Sequence, residues 1–410
     1  MIRFRILSAL ALLTVTAAAC AAPTAPPQLD QAGTAVAQTL AALSSVTPLA
    51  SPIPTQPPSP TVAPDLLPHS VYFVNKDNTG LRQIFRVARD GKTFQQITFE
   101  PAAVDTYDVS PVDGSVAYGT NNQLLLVDAN GAGRRLLVDG GAVDDSNRFT
   151  NSVGTPVWSP DGKTIAFSHG GLNFYATDTG AISKVLENKI DTSAGFPIVQ
   201  ELYSPNAYSP DGARLLINIS FNESGTFGIY RPSDNTLVRF NRPDGGTTCC
   251  DIRWVPDGTG LYAASPTIGM IDSGLAYVDA GTGLVTVLLP GSAPDATYNF
   301  ADGPQIGPDG KLYFFFNNLP QIPVEGHTPL YLVRSDTDGV TGRAQLQPNV
   351  FQNINEILWA PDASLALVAS VADPAATPGI FEGGQVQVVY PDARPSVMVI
   401  PFGEQMRWGP

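Results

Sequence analysis

A tryptophan, a proline, an aspartate and a glycine follow one another in WSPDG at 158–162, and versions of this stretch return at a nearly constant step. Aligned on the proline they read YDVSPVDG (107–114), VWSPDG (157–162), AYSPDG (207–212), RWVPDG (253–258), QIGPDG (305–310), LWAPDA (358–363) and RWGP (407–410). The prolines stand at 111, 160, 210, 256, 308, 361 and 410, so the steps are 49, 50, 46, 52, 53 and 49 residues. A fixed period of this size restricts the chain to a repeat architecture.

The residue two before each proline is Val109, Trp158, Tyr208, Trp254, Ile306, Trp359 or Trp408, so all four tryptophans of the chain occupy one slot. A strand that ends on a large apolar residue packs that residue between sheets and then reverses. Proline presets φ for the first turn position, an aspartate such as Asp161, Asp211, Asp257 or Asp309 bonds back to its own backbone, and glycine accepts positive φ. The motif is therefore a structural turn and not a catalytic element. Short β-rich runs follow it, among them SVAY (115–118), TIAF (164–167), RLLI (214–217) and LYFF (312–315). A third run in each repeat ends on an aspartate: Asp90, Asp128, Asp178, Asp234, Asp279, Asp336 or Asp392. Runs such as RRLLV (134–138), ISKVL (182–186) and VTVLL (285–289) close the units.

Four antiparallel strands repeated in this way predict an all-β fold, a β-propeller. The pattern over residues 70–410 resembles the WD40-like (PD40) propeller repeats of the TolB proteins and of the propeller domains of prolyl oligopeptidases. The first unit lacks a W-x-P strand, and EQMRWGP (404–410) supplies one. The C-terminal strand is thus expected to be the innermost strand of the first blade, shutting a ring of seven four-stranded blades, with six or eight as the alternatives.

The N-terminus follows a different grammar. Arg3 and Arg5 precede the apolar run ILSALALLTV and then TAAAC, the layout of an export signal. The run is shorter than the roughly 20 apolar residues a bilayer span needs. With Cys20 after three alanines, the stretch resembles a bacterial lipoprotein signal. That resemblance implies removal of residues 1–19, lipidation of Cys20 and localisation on the cell envelope, outside the cytoplasm. Residues 20–68 carry repeated prolines, as in PLASPIPTQPPSPTVAP, and read as an extended tether ahead of a propeller at 69–410.

A net charge of −14 repels phosphate backbones and argues against a nucleic-acid partner. The loops at one end of the repeats are short and uniform, whereas those at the other end are long and unlike one another. The long ones span 139–153, 187–203, 241–251, 290–303, 317–329 and 371–384. Varied loops on a regular scaffold are where binding concentrates, which makes Asp144, Asp145, Arg148, Tyr203, Asp251 and Tyr298 candidate ligand contacts. Cys249 and Cys250 belong to the same set. Export favours oxidation, and with Cys20 lipidated they have only each other to pair with, as a vicinal disulfide stiffening its loop. The usual trans spacing of about 3.8 Å between adjacent Cα atoms is short for such a bond.

Asp144-Asp145 with Asn147, NKDNTG (75–80) and SDTDGVTG (335–342) have the composition of Ca²⁺ loops, yet lack the full ligand spacing and read as solvated turns. No cofactor or resident metal is expected. His69, His169 and His327 have no neighbour at zinc spacing, and no serine has glycine at both −2 and +2. The expected role is a membrane-anchored binding or scaffold module for a cell-envelope protein, peptide or glycan. A hydrolase or lyase acting at the mouth of the propeller channel is the alternative.

Overall fold

The short apolar runs become strands because their β-branched and aromatic residues cover both faces of a buried sheet. The computed structural model describes residues 65–246, 248–266, 274–323, 328–371, 383–392 and 394–410. Cys20, the signal and nearly all of the tether lie outside the described residues, as do His327 and most of the 371–384 loop. Among the described residues no helix is long and apolar enough to cross a membrane.

Every sheet is antiparallel and, with one exception, is built from strands consecutive in the chain. Val104–Val109, Val116–Thr120, Gln123–Val127 and Arg135–Asp139 form one four-stranded sheet. Val153–Trp158, Thr164–His169, Gly171–Ala176 and Ile182–Glu187 form the next. Ile198–Tyr208, Leu215–Ser220, Gly225–Arg231 and Thr236–Arg239 follow, with Lys189–Asp191 added on the outside of Ile198–Tyr208. Asp251–Trp254, Gly260–Ser265, Gly274–Asp279 and Val285–Pro290 make another, and Tyr298–Ile306, Leu312–Leu319, Tyr331–Ser335 and Ala344–Gln345 the one after it.

The exception joins the two ends of the repeat region. Ile354–Trp359, Ala366–Ser370, Gly384–Val389 and Val397–Trp408 continue directly into Val71–Lys76, Arg82–Val87 and Phe94–Gln96. The twelve-residue strand Val397–Trp408 serves both halves. Its beginning pairs with Gly384–Val389, Val397 opposite Val388, and its end pairs with Val71–Lys76, Trp408 opposite Val71 and Arg407 opposite Tyr72. The sequence reading placed only EQMRWGP in this position, whereas the strand begins seven residues earlier. Packing of the fold also begins before His69, because Leu67 is buried and its N–H donates to the Arg89 carbonyl at 2.9 Å.

All but one of the apolar clusters are shared by two sheets that are neighbours in the chain. Tyr72 and Ile84 meet Tyr107 and Tyr118; Leu124 and Leu126 meet Trp158 and Phe167; Ala166 and Leu172 meet Tyr203 and Ile217. Leu216 and Ile229 meet Leu261 and Val278, Tyr262 and Leu275 meet Phe314, and Phe315 meets Trp359 and Val368. Leu367 and Val386 meet Val71 and Phe73 in a cluster formed within the sheet that joins the two ends of the repeat region.

The tryptophans sit in these seams. The indole of Trp254 donates to the Ala207 carbonyl at 3.1 Å, that of Trp359 to Gly303 at 2.7 Å and that of Trp408 to Trp359 at 2.7 Å. The first two bonds tie a first strand to the first strand of the preceding sheet, the third ties Val397–Trp408 to Ile354–Trp359 within the joining sheet, and each meets the need of an indole N–H. Trp158 packs equivalently, but its indole nitrogen has no partner among the described residues.

The turns after them follow their residue chemistry. Asp161, Asp211, Asp257 and Asp309 each accept the N–H two residues on, at 3.1, 3.0, 2.9 and 3.1 Å. Gly162 and Gly310 take φ of +69° and +71°, and Ala363 takes +53° at the equivalent site. Gly310→Ala is expected to cost about 1 kcal/mol, since its Cβ meets nothing within 4 Å and only the backbone preference is lost. Gly162→Ala, whose Cβ comes 3.0 Å from Val112 Cγ2, is expected to cost about 2 kcal/mol. Urea unfolding of the two variants side by side checks the order.

Candidate functional site

Three of the predicted ligand contacts lie on the connection between Arg135–Asp139 and Val153–Trp158. Asp144 Oδ1 accepts the Ser146 N–H at 2.8 Å, the Ser146 hydroxyl at 2.6 Å and the Asn147 N–H at 3.2 Å. Those bonds, the hydroxyl first, hold its carboxyl below the usual range. The single-turn helix Arg148–Asn151 follows, with Arg148 stacked 4.6 Å over Phe149 and 3.8 Å from Asp145. Asp77 and Asp338 likewise spend their oxygens on the backbone of their own turns. Among the described residues no group of three or more His, Cys, Asp or Glu is placed to hold a metal ion.

The stretch 187–203, read from sequence as an irregular loop, is a β-ribbon. Lys189 pairs with Glu201 and Asp191 with Ile198, so the first strand of that sheet extends beyond its neighbours. Val199 and Tyr203 are buried and Gln200 is exposed, while Glu201, of the same parity as Val199 and Tyr203, sits beside a register shift in the ribbon and bonds to Tyr203. Phe196 at the tip is 60% exposed. At the base, Glu201 accepts from the Tyr203 phenol, from Lys189 Nζ at 2.8 Å and from Arg239 Nη2 at 2.9 Å. Burial acts to raise the Glu201 carboxyl, but these donors outweigh it and bring it down to about 2. An open cleft of about 570 Å³ runs beside this cluster, lined by Glu187, Asn188, Lys189, Leu237 and Arg239.

A second constellation gathers on the first strands of the sheets. Asp251 holds Arg253 through both oxygens at 2.9–3.1 Å, and Arg253 Nη2 reaches past the intervening sheet to the Ile357 carbonyl. Glu356 Oε1 accepts the Met406 N–H at 2.5 Å. Arg407 lies 3.5 Å from Asp108, which accepts the Trp158 N–H at 2.7 Å, and the Tyr107 phenol donates to the Gln405 carbonyl at 2.6 Å. Arg407 keeps 44% of its side chain open to water.

Asp302, only 9% exposed, accepts one hydrogen bond, from its neighbour Gly303 at 2.9 Å. Burial first, and then the Asp251 charge, push its carboxyl up to about 8 despite Arg253. Burial likewise raises Glu356 to about 7 against the pull of Arg407 and Arg253. Asp108 is raised by burial as well, with Arg407 opposing.

Cys249 and Cys250 enter this constellation through Asp251, the next residue. They are joined by a disulfide across a cis peptide, with Cα atoms 3.1 Å apart, closer than the trans spacing assumed from sequence. Tyr298 opens the strand that carries Asp302 and packs beside Phe300 and Trp359. The structure thus brings Asp251 together with Arg253 and Asp302, and the cysteine pair immediately precedes Asp251 in the chain. It leaves Asp144, Asp145, Arg148 and Tyr203 in other places.

Arg253, Asp302, Glu356, Arg407 and Asp108 were missed by sequence reasoning, yet a signal was present. Asp108, Arg253 and Arg407 stand one residue before the tryptophan slot, and Asp251 and Glu356 stand three before it. Asp302 falls four before its slot because a register shift between Asp302 and Gln305 inserts a residue.

No protein-family model matches this sequence, and no curated protein matches it either. Its structural neighbours include TolB proteins. TolB from Acinetobacter baumannii is similar over 82% of this chain and 82% of its own, at 14% identity and a TM-score of 0.41. A putative TolB from Agrobacterium tumefaciens covers 68% of this chain and 88% of its own, at 14% identity and a TM-score of 0.37. A prolyl endopeptidase structure is similar over 83% of this chain and 50% of its own, at 14% identity and a TM-score of 0.49.

Proposed function

We propose that the chain is a lipoprotein of the bacterial cell envelope, anchored outside the cytoplasm through Cys20, and that its seven-bladed propeller binds a protein or peptide partner at the long-loop end. The strand Val397–Trp408, shared by the first and last units, and the apolar seams that pass from each sheet to the next support a closed ring of seven. The observation that carries the binding reading is the contrast between the two ends. At one end the turns are short, alike and closed by their own aspartates, as at Asp161, Asp211, Asp257 and Asp309. The other end carries the Phe196 ribbon and the Cys249–Cys250 disulfide, and the middle of the strand Tyr298–Ile306 carries a buried carboxylate, Asp302, whose single hydrogen bond comes from its own neighbour. Groups left short of partners in this way are complements to a ligand rather than to the fold.

A photoreactive side chain at Phe196 is expected to crosslink a protein partner in the native host, whereas one at Lys163, on a turn at the opposite end, is not. Capture from both positions or from neither overturns the reading. In the same cells a clickable fatty acid is expected to label the wild-type chain and not Cys20→Ser, which leaves the membrane fraction.

An enzyme at the same place is the second reading, favoured by two carboxyls raised to about 8 and about 7, the range that suits proton transfer. Hydrolase and lyase screens of wild type against Asp302→Asn discriminate it.

A further inference from the structure

The seam between the Trp158 sheet and the Tyr208 sheet has a tyrosine in the slot that Trp158, Trp254, Trp359 and Trp408 fill elsewhere. Phe174 and Tyr208 pack against the apolar cluster of this seam and stay partly exposed. Tyrosine is the smaller side chain, and here the seam opens into a cleft of about 440 Å³, within the range of small-molecule sites. Phe174, Tyr208, Pro160 and Pro232 supply its apolar walls, and Asp161 and Asp211 its charge. Among the described residues no lysine or arginine lines it. The two turns meet beside it, since a Cβ on Gly212 would lie 3.5 Å from Pro160 Cδ.

The fold uses one oxygen of each aspartate. Asp161 Oδ1 accepts the Ser159 hydroxyl at 2.6 Å and the Lys163 N–H at 3.1 Å. Asp211 Oδ1 accepts the Ser209 hydroxyl at 2.5 Å and the Ala213 N–H at 3.0 Å. These bonds, the serine hydroxyl first, hold both carboxyls below the usual range, so both are charged at neutral pH. Among the described residues Asp161 Oδ2 has no hydrogen-bond donor. Asp211 Oδ2 has only Arg214 at 3.8 Å, whose Nη1 also donates to the Gly258 carbonyl in the next seam. The Tyr208 phenol is raised by burial first and then by the Asp161 charge, which places that carboxylate within reach of the ring.

We propose that this cleft is a site for a small organic cation, a quaternary ammonium solute seated against Phe174 and Tyr208 beside the two aspartates. Aromatic rings attract such a cation, and its methyl groups suit proline walls that offer no donor. A metal ion finds two carboxylates here and no third ligating side chain. A phosphocholine headgroup fits less well, because its phosphate follows the ammonium into the field of Asp161 and Asp211. The cleft lies at the short-turn end, so the inference does not depend on the protein-binding reading above.

Titration of the full chain with choline, followed by saturation-transfer NMR, tests this. Choline is expected to bind at least about tenfold more tightly than its neutral carbon isostere, dimethylbutanol. The Asp161→Asn/Asp211→Asn double variant, whose amide oxygens still close the turns, is expected to lose at least about tenfold in affinity with its melting transition intact. Tyr208→Phe keeps the ring and is expected to keep binding, whereas Tyr208→Leu loses at least about tenfold. Should Tyr208→Leu fold poorly, the asparagine pair decides alone. No choline binding, an isostere that binds equally well, an unaffected asparagine pair, or phosphocholine bound as tightly as choline each overturns the proposal.

Discussion

Deletion of Glu404–Pro410 is expected to abolish cooperative folding. The strand edge of Val71–Lys76 would lose its pairing with Glu404, Arg407 and Trp408. Tyr107 would lose the Gln405 carbonyl, and Glu356 the Met406 N–H. Met406 is fully buried and Trp408 packs on the same cluster. Loss of a buried methionine and a tryptophan costs about 2–5 kcal/mol each, and the two together approach the about 5–15 kcal/mol that holds an ordinary domain folded. The exposed edge then invites aggregation. A thermal melt followed by circular dichroism, with light scattering, is expected to show no cooperative transition in the truncated chain; an unchanged melt contradicts the shared strand. Trp408→Phe keeps the ring and removes the donor to the Trp359 carbonyl, so about 1–2 kcal/mol is expected there.

Asp302→Asn is expected to stabilise the protein in alkaline solution and to leave it nearly unchanged in mild acid. Asp302 and Glu356 bind their protons more tightly folded than unfolded, at about 8 and about 7 against an ordinary carboxylate value near 4. Such a raised group contributes stability that is complete below the unfolded value and is lost as pH rises through the folded one. Wild type should therefore weaken from about pH 6 to about pH 9. Asparagine keeps an oxygen for the Gly303 N–H and never ionises, so the variant should exceed wild type by a few kcal/mol at the alkaline end.

Glu201, drawn down to about 2, works in the opposite direction. Its contribution is present above the ordinary carboxylate value and is lost as pH falls towards 2. The two effects leave a stability maximum in mildly acidic solution. Urea midpoints of wild type and Asp302→Asn across pH locate it. Parallel curves for the two proteins would show that Asp302 is not the group responsible.

The tryptophan slot, the turns and the order of strands were legible because each is a local choice repeated along the chain. Proline, aspartate and glycine act within a few residues, and a period of about 50 residues is visible without any knowledge of space. The pairing of Trp408 with Val71 was also legible, since one unit lacked a strand and another had one spare. The ribbon at 187–203 was not, because Ser193, Gly195 and Pro197 at its tip have the composition of an irregular loop. The site was harder still. Arg253 and Ile357 are 104 residues apart and meet only because first strands converge. Asp302 gains its character from burial, a property of its neighbours rather than of its own place in the sequence.

The double duty of Val397–Trp408 has a consequence for the order of events during synthesis. Val71–Lys76 is among the earliest strands to leave the ribosome, and it stands without its inner neighbour until Trp408 has emerged. An unsatisfied apolar edge therefore waits through the making of more than 300 residues, from Lys76 to Trp408. Among the described strands, that edge must be shielded longest in a nascent chain, and the slowest step should be the docking of Val397–Trp408 on Val71–Lys76.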